Sequence, residues 1–140
     1  MKHKNHVTKA QKNASEATVL LVEDDEAVRK WGSIALIKLG FRVLQASDGI
    51  EAVKVFKKCK GKISCLLCDL TMPRMDGWKT ISELRSIRHD LPVVLTSGYD
   101  KDSAMIGVHT EMPDFFLDKP YGIDQLGDTI GHAMAHKAMA

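Results

Sequence analysis

Four carboxylates in this chain stand at the ends of apolar runs. Val19-Leu20-Leu21-Val22 leads straight into Glu23, Asp24 and Asp25, and the run from Ile63 to Cys68 leads straight into Asp69. Two more runs close on other polar groups. Pro92 to Thr96 ends in a hydroxyl with Ser97 behind it, and Phe115 to Leu117 is followed by Asp118, Lys119 and Pro120. Carboxylates brought into one pocket repel one another and raise each other's pKa unless a cation sits among them. Oxygen-only ligands suit a hard ion, and a small incomplete set leaves Mg²⁺ some of its waters. Open positions on such an ion, next to a lysine ammonium, match the charge and geometry of a phosphoryl group. Asp69 is the acid that stands apart, because a single carboxylate ending an apolar strand has no capping duty.

These groups meet only if the runs are neighbouring strands that end on the same side. From Thr18 onward, short wholly apolar segments alternate with amphipathic ones of ten to fifteen residues, the rhythm of βαβ units. Runs without polar alternation are expected for parallel strands covered on both faces. The expected strands are Val19–Val22, Phe41–Ala46, Ile63–Cys68, Pro92–Thr96 and Phe115–Leu117. Between them fall a helix with Val28, Trp31, Ala35 and Leu39 on one stripe and Gly40 as its stop. A second helix opens on Asp48-Gly-Ile-Glu51, a capping box in which the glutamate reaches back to the cap, and buries Ala52, Val53 and Phe56. A third carries Trp78, Ile81 and Leu84. The stretch Asp100 to Thr110 reads as a weak helix, and the last helix sets Ile123, Leu126, Ile130 and Met134 on one side. Right-handed crossovers then give an open, doubly covered parallel sheet of five strands and five helices. Its functional crevice lies beyond the carboxyl ends of the strands.

The segments VLLVEDDEAVR (19–29), LLCDLTMPRMDGW (66–78), VVLTSGY (93–99) and FFLDKPY (115–121) resemble, in order and spacing, the receiver domains of two-component response regulators. The SGYD and FLDKPY segments are similar to those of receivers attached to hybrid sensor histidine kinases. The resemblance runs from Thr18 to the end of the last helix and implies a flavodoxin-like sheet of strand order 2-1-3-4-5. It implies Asp69 as the phosphoacceptor. Asp24, five residues before Arg29, is implied as direct metal ligand, with Glu23 acting through a metal-bound water and Asp25 as an auxiliary acid. The Thr71 carbonyl would complete the protein's share of a Mg²⁺ (or Mn²⁺) shell. Thr96 and Lys119 would hold phosphoryl oxygens, the Lys119–Pro120 peptide would be cis, and Thr96 with Phe116 would form the switch. The implied donor is a histidine kinase or a histidine phosphotransfer protein, with a kinase linked upstream on the same polypeptide as one arrangement. A weak dimer through the last helices is the oligomer to expect.

The rest of the sequence narrows the alternatives. At 140 residues, 44% hydrophobic and 27% charged, the chain has room for one domain with a real core. The net charge of +2 comes from four lysines in the polar segment 1–17, read as a leader, linker or tag remnant before a domain over 18–140. The near-neutral body argues for neither nucleic acid nor membrane. A DNA-binding helix-turn-helix is not expected after the last helix. Three cysteines suit a reducing compartment, hence the cytoplasm. Cys65 and Cys68 lie three apart on a strand and point to opposite faces, so they read as small core residues. His132 and His136 lack the glutamate of a zincin helix and read as a solvated edge. A Mg²⁺ phosphohydrolase with an aspartyl nucleophile would want a second acid at 71, where Thr71 stands. A receiver-like binding module that is never phosphorylated would not need every one of these positions filled.

Overall fold

The computed structural model describes residues 17–59, 61–98, 107 and 109–139. Five strands, β1 (Thr18–Val22), β2 (Arg42–Ala46), β3 (Cys65–Asp69), β4 (Val93–Ser97) and β5 (Phe115–Asp118), form one parallel sheet of order β2-β1-β3-β4-β5. The helices among the described residues are α1 (Glu26–Lys38), α2 (Gly49–Cys59), α3 (Gly77–Ile87) and α4 (Ile123–Met139). That makes four described helices where five are expected. Most of the stretch Asp100 to Thr110, where the weak helix is expected, lies outside the described residues.

The absence of polar alternation in the strands has a direct structural cause. β1, β3 and β4 are buried at every residue, so both of their faces need apolar side chains. One face packs Leu20, Val22, Leu66, Cys68, Val93 and Leu95 against Ala52 and Phe56 of α2 and Ile81 and Leu84 of α3. The other packs Val19, Leu21, Cys65, Leu67, Val94 and Leu117 against Ala35 and Leu36 of α1 and Leu126 and Ile130 of α4. Cys65 and Cys68 thus fall on opposite faces, each in a separate core.

The helices depart from the expected stripes in two places. α1 buries Gly32, Ser33, Ala35 and Leu36, while Trp31 remains 43% exposed. The helix is rotated because Gly32 has no side chain. A Cβ there would stand 3.3 Å from Leu21, so this is the face that comes closest to the sheet. Gly40 follows α1 at φ +99°, the left-handed backbone that glycine adopts without a Cβ penalty. At α2, Asp48 caps the Glu51 amide as expected. The Glu51 carboxylate, however, accepts from the amide and hydroxyl of Ser47 rather than from the cap's own amide.

At the amino-terminal end of β4, a buried ion pair ties three elements together. The Arg85 guanidinium of α3 donates to Asp114 at 3.0 Å and to the Leu91 carbonyl at 3.1 and 3.2 Å, and also reaches Glu111 and the Met112 carbonyl. Asp114 also accepts from the Val93 amide at 2.8 Å. Removing one partner of such a pair strands the other charge in the interior. Arg85→Ala is expected to cost on the order of 3 kcal/mol, read as a fall in the urea midpoint at unchanged m-value.

Candidate functional site

The sheet register brings the predicted groups to one edge. Val22 pairs with Cys68, so Glu23 and Asp69 both stand one step past that pair. Asp69 pairs with Thr96, Thr96 with Leu117, and the Lys119 amide donates to the Ser97 carbonyl at 2.8 Å. Carboxylate oxygens of Glu23, Asp24 and Asp69 all lie within 4.8 Å of one another. Glu23, Asp69 and Thr96 are buried, and Asp24 is exposed. The Lys119 ammonium sits 2.7 Å from Glu23 Oε1 and 3.3 Å from Asp69 Oδ1. The Lys119–Pro120 peptide is cis. Asp25 is turned to another task, since its carboxylate caps α1 by accepting from the Val28 amide at 3.0 Å. Thr71 lies on the exposed loop two residues after Asp69. Phe116 is half-buried, edge-on to Trp78 with ring centroids 6.1 Å apart.

Charge at this edge is unbalanced. Burial, and then the Glu23 carboxylate, push the Asp69 pKa up to about 6, although Lys119 pulls it down. Burial alone would lower the Lys119 pKa. The hydrogen bond to Glu23 and the charges of Asp69 and Glu23 outweigh it and hold the ammonium above its ordinary value. One ammonium therefore faces three carboxylates. An oxygen-only set with a surplus of negative charge fits a hard divalent cation such as Mg²⁺.

Several positioning contacts have no signature in the sequence. The Arg29 guanidinium donates to the Glu23 backbone carbonyl at 2.8 Å, which fixes the turn that aims the acidic pair. Arg74, in the loop after β3, has φ +67° and pairs with the buried carboxylate of Asp48 at the start of α2. An arginine in left-handed backbone is uncommon, and nothing in the string MPRMDG singles it out. Gly77 is required by close approach: a Cβ there would lie 2.8 Å from both the Asp69 carbonyl and Leu70 Cα. Its amide donates to the Leu70 carbonyl at 2.8 Å and pins α3 against the end of β3. Beside Lys119, an apolar cavity of about 370 Å³ is lined by Ala27, Val28, Trp31, Pro120 and Tyr121, with the Trp31 and Tyr121 rings edge to face at 5.6 Å.

The family model of the response regulator receiver domain matches residues 19–131. The sensor kinase CckA of Brucella abortus is 36% identical over 124 residues, covering 89% of this chain. The chain spans only 13% of that kinase's length. The crystal structure of the receiver domain from hybrid histidine kinase CckA superposes with a TM-score of 0.70 at 32% identity, covering 84% of this chain and 99% of that one. The CheX–CheY–BeF₃–Mg²⁺ complex from Borrelia burgdorferi gives a TM-score of 0.73 at 25% identity, covering 81% and 86%.

The burial of Asp69 beside the Glu23 carboxylate has a measurable consequence. Between the ordinary aspartate value of 3.8 and about 6, the folded chain keeps a proton that the unfolded chain gives up. Stability of the metal-free protein therefore falls as pH rises through that window. Asp69→Asn removes the repelled charge and is expected to stabilise the metal-free protein at pH 7 by on the order of 2 kcal/mol. The gain should shrink towards zero by pH 4. Urea midpoints of the two proteins at both pH values, with a chelator present, check this.

Proposed function

The chain belongs to the response regulator receiver family of two-component signalling, and we propose that it accepts a phosphoryl group on Asp69 from a phosphohistidine donor. The observation that carries this reading is the Lys119 ammonium within ion-pair distance of both Asp69 and Glu23, in a cluster whose third carboxylate is Asp24. Asp24, Asp69 and the Thr71 carbonyl would hold Mg²⁺, with Glu23 acting through water. Bound there, the ion supplies positive charge that stabilises the non-bridging phosphoryl oxygens. The chain's own groups do the rest. An Asp69 oxygen attacks phosphorus in line while the bond from phosphorus to the donor imidazole breaks, and the imidazole leaves with that electron pair. Because the transition state is loose, positioning and electrostatic stabilisation supply most of the acceleration. Lys119 and Thr96 each contact a phosphoryl oxygen. The product is an acyl phosphate that water later cleaves, and the side chains at Thr71 and Gly98 set how readily water arrives.

Phosphorylation draws Thr96 towards the new anion, and Phe116 moves into the space released. This changes the surface formed by β5, α4 and the segment before β5, as a shift between two existing states. The donor is a histidine kinase or histidine phosphotransfer protein, either separate or upstream on the same polypeptide. The apolar cavity beside Lys119, together with Trp31, Ile34 and Ile37 exposed along α1, gives such a protein a foothold next to the acceptor. The odd number of cysteines supports a reducing compartment and hence the cytoplasm, and no helix among the described residues is long and apolar enough to cross a membrane.

Mass spectrometry after incubation with acetyl phosphate and Mg²⁺ should find one added phosphoryl group, absent with a chelator and absent in Asp69→Asn. Full phosphorylation of Asp69→Asn would overturn the assignment. Asp24→Asn removes one carboxylate ligand and is expected to weaken Mg²⁺ binding by about tenfold (~1.4 kcal/mol) or more, read by calorimetry.

A further inference from the structure

α4 carries His132 and His136, one turn apart, far along the chain from the acidic edge. Residues four apart on a helix are neighbours on its surface, with Cβ atoms about 6 Å apart. Both rings lie over the same side chain: their centroids stand 6.2 and 6.1 Å from the Phe115 ring. Both histidines are exposed. By themselves they would be an ordinary solvated edge.

Asp114 changes that reading. Its carboxylate is buried, and Oδ2 is fixed by the Arg85 guanidinium at 3.0 Å and the Val93 amide at 2.8 Å. Oδ1 faces outward, 3.1 Å from His136 Nδ1 and 3.7 Å from the Lys137 ammonium. An ionised carboxylate only accepts hydrogen bonds, so His136 Nδ1 is the donor. In the neutral ring the lone pair then belongs to Nε2, on the side away from Asp114. Among the described residues neither that nitrogen nor either ring nitrogen of His132 has a hydrogen-bond partner. A carboxylate behind a histidine, setting its tautomer and raising its basicity, is the usual support of a metal-ligating imidazole.

We propose that His132 and His136, with Asp114 orienting the second ring, form a binding site for a borderline divalent transition ion such as Zn²⁺. Two imidazoles would supply the protein ligands, and water would fill the remaining positions. The donor set differs in kind from the acidic edge: nitrogen here selects a transition ion, whereas the oxygens of Glu23, Asp24 and Asp69 suit a hard one. The Lys137 ammonium opposes the incoming charge but is drawn to the Asp114 carboxylate, on the far side of the His136 ring. The two sites can therefore be loaded independently, Mg²⁺ at the carboxyl ends of the strands and the transition ion beside the start of β5.

The test is titration of the full chain with Zn²⁺ in millimolar Mg²⁺, followed by calorimetry and by the side-chain nitrogen resonances of the histidines. It is done in a background with His3→Gln and His6→Gln so that the amino-terminal imidazoles do not compete. One equivalent of Zn²⁺ should bind and shift the resonances of His132 and His136 together. His132→Gln and His136→Gln should each abolish that binding while phosphorylation by acetyl phosphate persists. Asp114→Asn, checked for folding by circular dichroism, should weaken it by about tenfold or more. Zn²⁺ uptake unchanged in both histidine variants, or none in the parent chain, overturns the proposal.

Discussion

Repulsion between carboxylates that the backbone forces together governs this molecule. Glu23 and Asp69 are buried at adjacent strand ends because β1 and β3 are neighbours in register. One ammonium, from Lys119, stands between them. With Asp24 counted, negative charge still exceeds positive, and burial together with the Glu23 charge raises the Asp69 pKa. A site of this kind favours any ligand that brings cations inward.

The fold tolerates that repulsion because the rest of the sheet is so fully covered. β1, β3 and β4 bury both faces, and each fully buried Leu or Val contributes about 2 kcal/mol. The two ends of the sheet treat buried carboxylates in opposite ways. Asp114 is matched by Arg85, by the Val93 amide and by His136, every contact within 3.1 Å. Asp69 has one cation at 3.3 Å and two acids beside it. The same residue type is a structural tie at one end and an under-compensated charge at the other, and its neighbours decide which.

Strand number and the residues at strand ends were legible because they follow from short-range pattern, whereas the strand order was implied by the resemblance to receiver domains. A wholly apolar run of four or five residues has few alternatives to a doubly covered strand, and the polar residue that follows each run marks where it emerges. The bounds moved by one or two residues, as at β3, which begins at Cys65 rather than Ile63 and includes Asp69. What pattern could not reach were contacts decided by tertiary packing. Trp31 fits an apolar stripe but is displaced from the core because Gly32 gives the closer approach to Leu21. Glu51 reached Ser47 instead of its own cap. Arg74 takes a backbone conformation associated with glycine and pairs with Asp48, 26 positions earlier in the chain, so nothing in its local string announces the contact. Asp114 lies in a loop segment with no periodicity to announce it, although it organises one end of the domain.

The path from Asp69 to the surface is short, which bears on how a local charge change there would be read at a distance. Asp69 pairs with Thr96 across the β3–β4 ladder, and Thr96 pairs with Leu117 across the next. Phe116 itself pairs with Leu95, one register step before Thr96. It packs edge-on to Trp78, whose ring stacks on His109 at 3.7 Å with the planes 8° apart. Because Trp78 rests on both Phe116 and His109, the ring cannot move without disturbing the segment that leads into β5. Phe116 has no hydroxyl to anchor it at the surface, so its position depends on packing alone. Packed interiors favour discrete arrangements over continuous deformation, and that is the property a two-state signal needs.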